Sequence, residues 1–147
     1  PSEALQGVRA GREVINSYNR KIYLDYPANK ADAEELNKHT RRYRGRLVPA
    51  RSIYTFEPVP AGLTQEERNR IIGLEAPVWT ESILMDRLDK KVFPRLISVA
   101  EVGWTSAEKK NWESFQRRLE KHAEILEALD IAYDRSDTII EHQGRDK

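Results

Sequence analysis

The sequence predicts an α/β chain, and three patterns carry that prediction. Residues 14–17, 21–26 and 73–81 are short runs with β-branched or alternating apolar character, the signature of strands. Residues 112–129 repeat apolar side chains at spacings of three and four, the signature of a long helix. Thr64 with Glu67 and Thr105 with Glu108 match the capping box that opens helices.

The elements follow in order. Residues 3–12 read as the end of a helix, with Gly11 as its stop signal. Val14-Ile15-Asn16-Ser17 is a short strand. After an interruption at residues 18–20, residues 21–26 continue extended until Pro27, placing Tyr23 and Asp25 on one face and Ile22 and Leu24 on the other. Residues 29–43 are polar and helix-permissive, anchored only by Leu36 and Tyr43. Arg41, Arg42, Arg44 and Arg46 form a basic cluster, read first as a solvated helix face and second as an anion contact. Residues 52–57 alternate apolar residues before Pro58 and Pro60 force a turn. The first capping box predicts a helix over residues 65–70.

Residues 73–81 form the stretch around which the rest is organised. Read with a period of two, Leu74, Ala76 and Val78 make an apolar back, while Glu75, Trp79 and Glu81 make a front. An aromatic plate beside a carboxylate suits a sugar, whose C–H face packs on a ring and whose hydroxyls seek an acceptor. Tyr23 and Asp25 repeat that pairing of a ring and a carboxylate. Further on, Phe93, Leu96, Ile97, Ala100 and Trp104 predict a helix with Pro94 in its first turn. Trp112, Phe115, Leu119, His122, Leu126 and Leu129 then form one apolar stripe, on which His122 is expected to be packed and hydrogen-bonded rather than a ligand.

Composition narrows the function. With 147 residues the chain has the size of one domain, and 25 basic against 24 acidic residues give a net charge of +1, so no global field points to nucleic acid. No run of residues is apolar enough for a membrane span, and the first residues do not resemble a signal peptide. The absence of cysteine excludes disulfides and thiolate metal sites. No zinc motif, glycine-rich phosphate loop or Ser-His-Asp set is present, so neither metal nor cofactor is expected. An amino terminus without methionine hints at a processed chain or one cut from something longer.

Four blocks stand in a telling order: Tyr23-Leu24-Asp25; Tyr54-Thr55-Phe56-Glu57-Pro58-Val59-Pro60; Gly73-Leu74-Glu75-Ala76-Pro77-Val78-Trp79-Thr80-Glu81; and Phe93-Pro94-Arg95-Leu96 with Ala100-Glu101 and Trp104. Together they resemble the carboxy-terminal part of the β-N-acetylhexosaminidases of glycoside hydrolase family 20, and the likeness runs from about Val14 to Tyr133. The resemblance implies a (β/α)8 TIM barrel, of which this chain would hold only the last strands and helices, ending in long amphipathic helices. A closed barrel needs about 250 residues. Residues 1–133 would be that barrel portion and residues 134–147 a polar tail.

The family uses a substrate-assisted retaining mechanism, in which the acetamido oxygen of the substrate attacks the anomeric carbon and an adjacent Asp-Glu pair orients the acetamide and protonates the leaving group. No Asp-Glu dipeptide occurs in this sequence. By the resemblance, Tyr23 would be the catalytic contact to the acetamido oxygen, and Asp25, Trp79 and Glu81 would bind the sugar. Glu75 would be an interior barrel carboxylate, and Arg95, Glu101 and Trp104 would serve packing and internal ion pairing. Many relatives carry a tryptophan shortly before the Tyr-Leu-Asp block, where this chain has Ser17-Tyr18-Asn19-Arg20, with Tyr18 as a substitute aromatic wall.

The expected partners are N-acetylhexosamine glycans, the missing amino-terminal barrel half and a second copy of the chain, since open barrel strands leave unpaired edges. Neither nucleic acid nor membrane is expected, and family habit implies an extracellular, periplasmic or lysosomal location. Two rivals stand beside this reading: a non-catalytic module that binds sugar or self-associates, and a helical interaction module built on residues 112–129.

Overall fold

The structure, a computed structural model, describes residues 2–38 and 45–137. Helix α1 (Ser2–Arg9) closes on Gly11, whose φ of +74° is the left-handed conformation that glycine adopts without a Cβ penalty. Strand β1 (Val14–Asn16) follows, and α1 packs closely against it: a Cβ on Gly7 would lie 2.8 Å from the Val14 Cγ2.

β1 pairs in parallel with β2 (Ile71–Leu74). The register runs Val14 to Ile71, Ile15 to Gly73 and Asn16 to Leu74, so Ile72 is skipped. Parallel strands need a long crossover, and here it carries α2 (Asn19–Ile22), α3 (Lys30–Asn37), α4 (Ala50–Tyr54) and α5 (Gln65–Asn69). After β2 come α6 (Leu88–Val92), α7 (Arg95–Trp104) and α8 (Trp112–Ala128). The α/β class is thus observed, with a mostly helical chain around a small parallel sheet.

Several local expectations hold for the stated reasons. The Thr64–Glu67 capping box is complete: the Glu67 N–H donates to the Thr64 hydroxyl at 3.2 Å, and the Thr64 N–H donates to the Glu67 carboxylate at 2.8 Å. Leu74, Ala76 and Val78 all pack against the main core, as the apolar back requires. That core gathers Ile22, Leu24, Val48, Ile53, Phe56 and Val99. A second cluster of Tyr54, Phe115 and Leu119 holds α8 against α4 and α7, with Ile97 and Trp112 at its margin. Burying each of these large side chains is worth roughly 1.5–3 kcal/mol.

Other expectations are corrected. Residues 21–26 are not an extended strand: Ile22 ends α2 and residues 24–26 form a turn. Ile22 and Leu24 are buried as expected, but Asp25 is buried with them instead of sharing an open face with Tyr23. The strand at residues 73–81 stops at Leu74, opposite Asn16, where its partner strand β1 ends, and Pro77 beyond it carries no amide proton with which to resume a ladder; Glu81 falls in a 3-10 turn, Thr80–Ser82. Residues 50–54 are helical, so the first half of the alternating run at residues 52–57 lies in α4 and is not extended.

The buried face of α7 is Arg95, Ser98, Val99 and Val102, whereas Leu96, Ala100 and Trp104 of the expected stripe are exposed. Thr105 and Glu108 form no capping box. Residues 107–109 make one 3-10 turn, and α8 is capped instead by the Asn111 side chain, which accepts the Ser114 N–H at 2.8 Å. On α8, Phe115, Leu119 and Leu126 are buried, but His122 and Leu129 are exposed, so His122 is not packed. Of the basic cluster, Arg46 is exposed and Arg41, Arg42 and Arg44 lie outside the described residues. Asn29, the cap of α3, donates to Asp134 at 2.8 Å and to Ser136 at 2.9 Å, bringing residues 134–136 against the start of that helix.

Candidate functional site

The two strands of a parallel pair end on the same edge, so the segments that leave them emerge together. This is the edge where parallel α/β sheets place their sites. From β1 the chain passes through α2 to Tyr23-Leu24-Asp25. From β2 it passes through residues 75–79 to the turn that carries Glu81. Two backbone hydrogen bonds hold the segments side by side: the Glu75 N–H donates to the Asn16 carbonyl at 3.2 Å, and the Leu24 N–H donates to the Pro77 carbonyl at 2.9 Å. The buried Asn16 side chain separately ties the end of β1 to the loop before β2, donating to the Pro58 carbonyl at 2.6 Å.

The four expected site residues differ in their exposure. Trp79 is 46% exposed and is the last extended residue before the 3-10 turn. Glu81 is exposed on that turn. Tyr23 is partly buried, its ring edge-on to Tyr26 with centroids 6.4 Å apart. Asp25 has no exposed surface. Tyr18 lies tilted against Phe56 at 6.0 Å and packs on the core. Glu75 points to solvent.

Beneath this edge lies a residue whose part the patterning did not reveal. Arg95 is fully buried and donates to the carbonyls of Leu24, Tyr26, Val48 and Lys91, with the Nη1 bonds to Tyr26 and Val48 measuring 2.8 Å and 3.1 Å. The signal available in sequence was a cation at a position spaced three, four and seven residues from Ser98, Val99 and Val102. Nearby, Lys91 is buried and donates from Nζ to the Asp32 carboxylate at 2.7 Å. Burial pushes its ammonium below the usual lysine range, the Asp32 hydrogen bond and charge oppose that, and the charges of Arg95 and Asp25 are close enough to act on it. Glu101 pairs with Arg118, but at the surface, with the Arg118 side chain about half exposed, so the pair is not internal; Trp104 is 92% exposed instead of packed in the interior.

A cleft of about 610 Å³ lies elsewhere, between α3, residues 83–91 and residues 133–135, and none of Tyr23, Asp25, Trp79 or Glu81 lines it. Among the described residues no group of three or more His, Asp or Glu side chains is placed to hold a metal ion, and no helix is long and apolar enough to cross a membrane.

Comparison with known proteins agrees with this arrangement. Residues 1–107 match the model of the glycosyl hydrolase family 20 catalytic domain. A β-N-acetylhexosaminidase of Cellulomonas fimi is 33% identical over 129 residues, covering 84% of this chain and 24% of that protein. A β-hexosaminidase of Porphyromonas gingivalis is 32% identical over 90 residues, covering 60% of this chain and 12% of its own length. Among solved structures, the N-acetyl-β-hexosaminidase of Streptomyces plicatus in complex with Thio-NAglucal superposes with a TM-score of 0.75 at 29% identity, covering 95% of this chain and 27% of that one. The β-N-acetylhexosaminidase of Streptomyces coelicolor A3(2) gives 0.72 at 30% identity, covering 95% and 28%. The chain therefore spans about a quarter or less of the relatives it matches. The sequence blocks, the parallel strand pair and these matches agree: this chain belongs to glycosyl hydrolase family 20 and corresponds to part of its catalytic domain.

Proposed function

We propose that this chain forms one wall of the sugar pocket of a β-N-acetylhexosaminidase that removes terminal N-acetylglucosamine or N-acetylgalactosamine from glycans. The observation that carries the reading is the hydrogen bond from the Leu24 N–H to the Pro77 carbonyl, which aligns the Tyr23-Leu24-Asp25 segment with the segment that presents Trp79 and Glu81. In this proposal the chain supplies the last strands of a (β/α)8 barrel. The relatives' greater length and the parallel β1–β2 pair support that placement.

The roles follow from chemistry. The half-exposed indole of Trp79 offers a flat apolar face to the sugar ring, and the Glu81 carboxylate accepts hydrogen bonds from hydroxyls at carbons 4 or 6. The Tyr23 hydroxyl donates to the acetamido oxygen, orienting it for attack on the anomeric carbon and stabilising the oxazolinium-like intermediate. Asp25 accepts from a ring hydroxyl. Because its carboxylate is sealed from solvent, that contact requires local opening, so Trp79, Glu81 and Tyr23 make the first contacts. The reaction is retaining and substrate-assisted. The sequence holds no Asp-Glu dipeptide to orient the acetamide and protonate the leaving group, so this chain by itself is inactive.

The test is a titration of N-acetylglucosamine into the purified chain, followed by tryptophan fluorescence, with Trp79→Ala as control and a chromogenic N-acetylglucosaminide assayed alongside. Saturable quenching that disappears in the variant, with no hydrolysis, is expected. A flat titration, quenching that survives in Trp79→Ala, or turnover by the chain alone would each contradict the proposal.

A second reading, a self-associating module, is favoured by one observation: Ile15, Ile72 and Trp104 are 57%, 56% and 92% exposed, apolar surface of the kind that a partner covers.

A further inference from the structure

We infer that Arg95 is the positioning residue of the site: its guanidinium holds the backbone on both sides of Asp25 and so sets where Tyr23 and Asp25 stand relative to Trp79. The inference rests on the pocket reading above and deepens it.

The geometry is specific. Leu24 and Tyr26 flank Asp25, and Arg95, fully buried, donates to both carbonyls, Nη2 to Leu24 and Nη1 to Tyr26. Nη1 also reaches the Val48 carbonyl, while Nε and Nη2 reach the Lys91 carbonyl one turn back. Residues 24–26 are a turn, not a ladder strand, so their carbonyls have no sheet partner among these bonds. A planar fork of donors can serve several carbonyls held at different angles, which the compact ammonium of lysine cannot do from one place.

The same segment is gripped from its other side. The Leu24 N–H donates to Pro77 at 2.9 Å, and the Val48 N–H donates to the Pro27 carbonyl at 2.8 Å. Leu24 is therefore clamped at its amide by the segment leading to Trp79 and at its carbonyl by α7. Since α7 begins at Arg95, the start of that helix, downstream of the Trp79–Glu81 segment and α6, fixes the segment that carries Tyr23. Positional precision of this kind matters because a pocket residue displaced by about 1 Å can forfeit much of its contribution.

The experiment compares the chain with Arg95→Lys, which keeps the charge and removes the fork. Amide hydrogen exchange is followed at Leu24 and Val48, with Val14 and Glu75, which report the β1–β2 pair, as internal references. The expected result is exchange on the order of 10-fold faster at Leu24 and Val48 with the reference amides unchanged, because only the turn has been released. A merely structural role would accelerate all four together, and that outcome, or no acceleration at all, overturns the inference. N-acetylglucosamine affinity is measured on the same samples and is expected to fall in the variant. If the unsubstituted chain binds no sugar, the pocket reading fails, while the exchange pattern still decides what Arg95 does. Should Arg95→Lys not fold, the side-chain N–H resonances of Arg95 in the unsubstituted chain give the answer: separate, slowly exchanging Nη signals support the clamp, and averaged, rapidly exchanging ones refute it.

Discussion

At the scale of single residues, Lys91 shows how buried charge is handled next to Arg95. Its ammonium is buried beside Asp32, with Arg95 as a second cation close by. Desolvation is the largest influence and lowers its pKa, so the unfolded chain holds this proton more tightly than the folded one. Stability therefore rises with pH between the depressed folded value and the ordinary lysine value near 10.5, and the cost of burying the charge is fully present below that window. Urea melts of the chain and of Lys91→Gln at about pH 8 and about pH 10 check this. The stability difference is expected to shift in favour of lysine at the higher pH. A difference that is flat, or that moves towards glutamine, would show that the Asp32 pair outweighs burial.

At the scale of elements, what was legible in the sequence was side-chain burial more than backbone conformation. Ile22 and Leu24 are buried, and Leu74, Ala76 and Val78 face the core, yet only Ile71–Leu74 of the second stretch is a strand. Alternation picked out Ile22 and Leu24 as buried, but the turn held by Arg95 buries Asp25 too, which a strand would have placed on the opposite face. No local pattern announces that clamp, because its partners lie about seventy residues away in sequence. α7 shows the same limit: Leu96, Ala100 and Trp104 have helical spacing, but the face packed on the described residues is that of Arg95, Ser98, Val99 and Val102. Local capping chemistry was legible at Thr64 and misplaced at Thr105, because Asn111 stands directly before the long helix and accepts its Ser114 amide. Asn111→Ala is thus expected to cost about 1 kcal/mol, whereas Thr105→Val should leave α8 unaffected. Thermal melts of the two variants decide, and equal losses would mean that the cap is not where α8 draws its stability.

At the scale of the molecule as a whole, the decisive feature is that the sheet has two strands among the described residues, since parallel sheets ordinarily have both faces covered. Here Ile15 of β1 and Ile72 of β2 are more than half exposed, and Ile72 lines a shared cleft with Trp104 at the end of α7. Each strand also keeps one edge without a partner strand among the described residues, a template for further pairing. Apolar surface and strand edges of this kind are covered in a complete barrel, so the chain alone is expected to bury them by associating. Sedimentation of the chain over a concentration series should show a mass that climbs above 17.1 kDa, and Ile72→Lys combined with Trp104→Ser should return it towards the monomer. The pair of substitutions touches neither Trp79 nor Glu81, so sugar binding provides a control: an unchanged titration with reduced association separates the covering surface from the pocket. A chain that stays monomeric at every concentration would mean that its exposed isoleucines and Trp104 are tolerated in water, and that the missing part of the barrel is not needed to shield them.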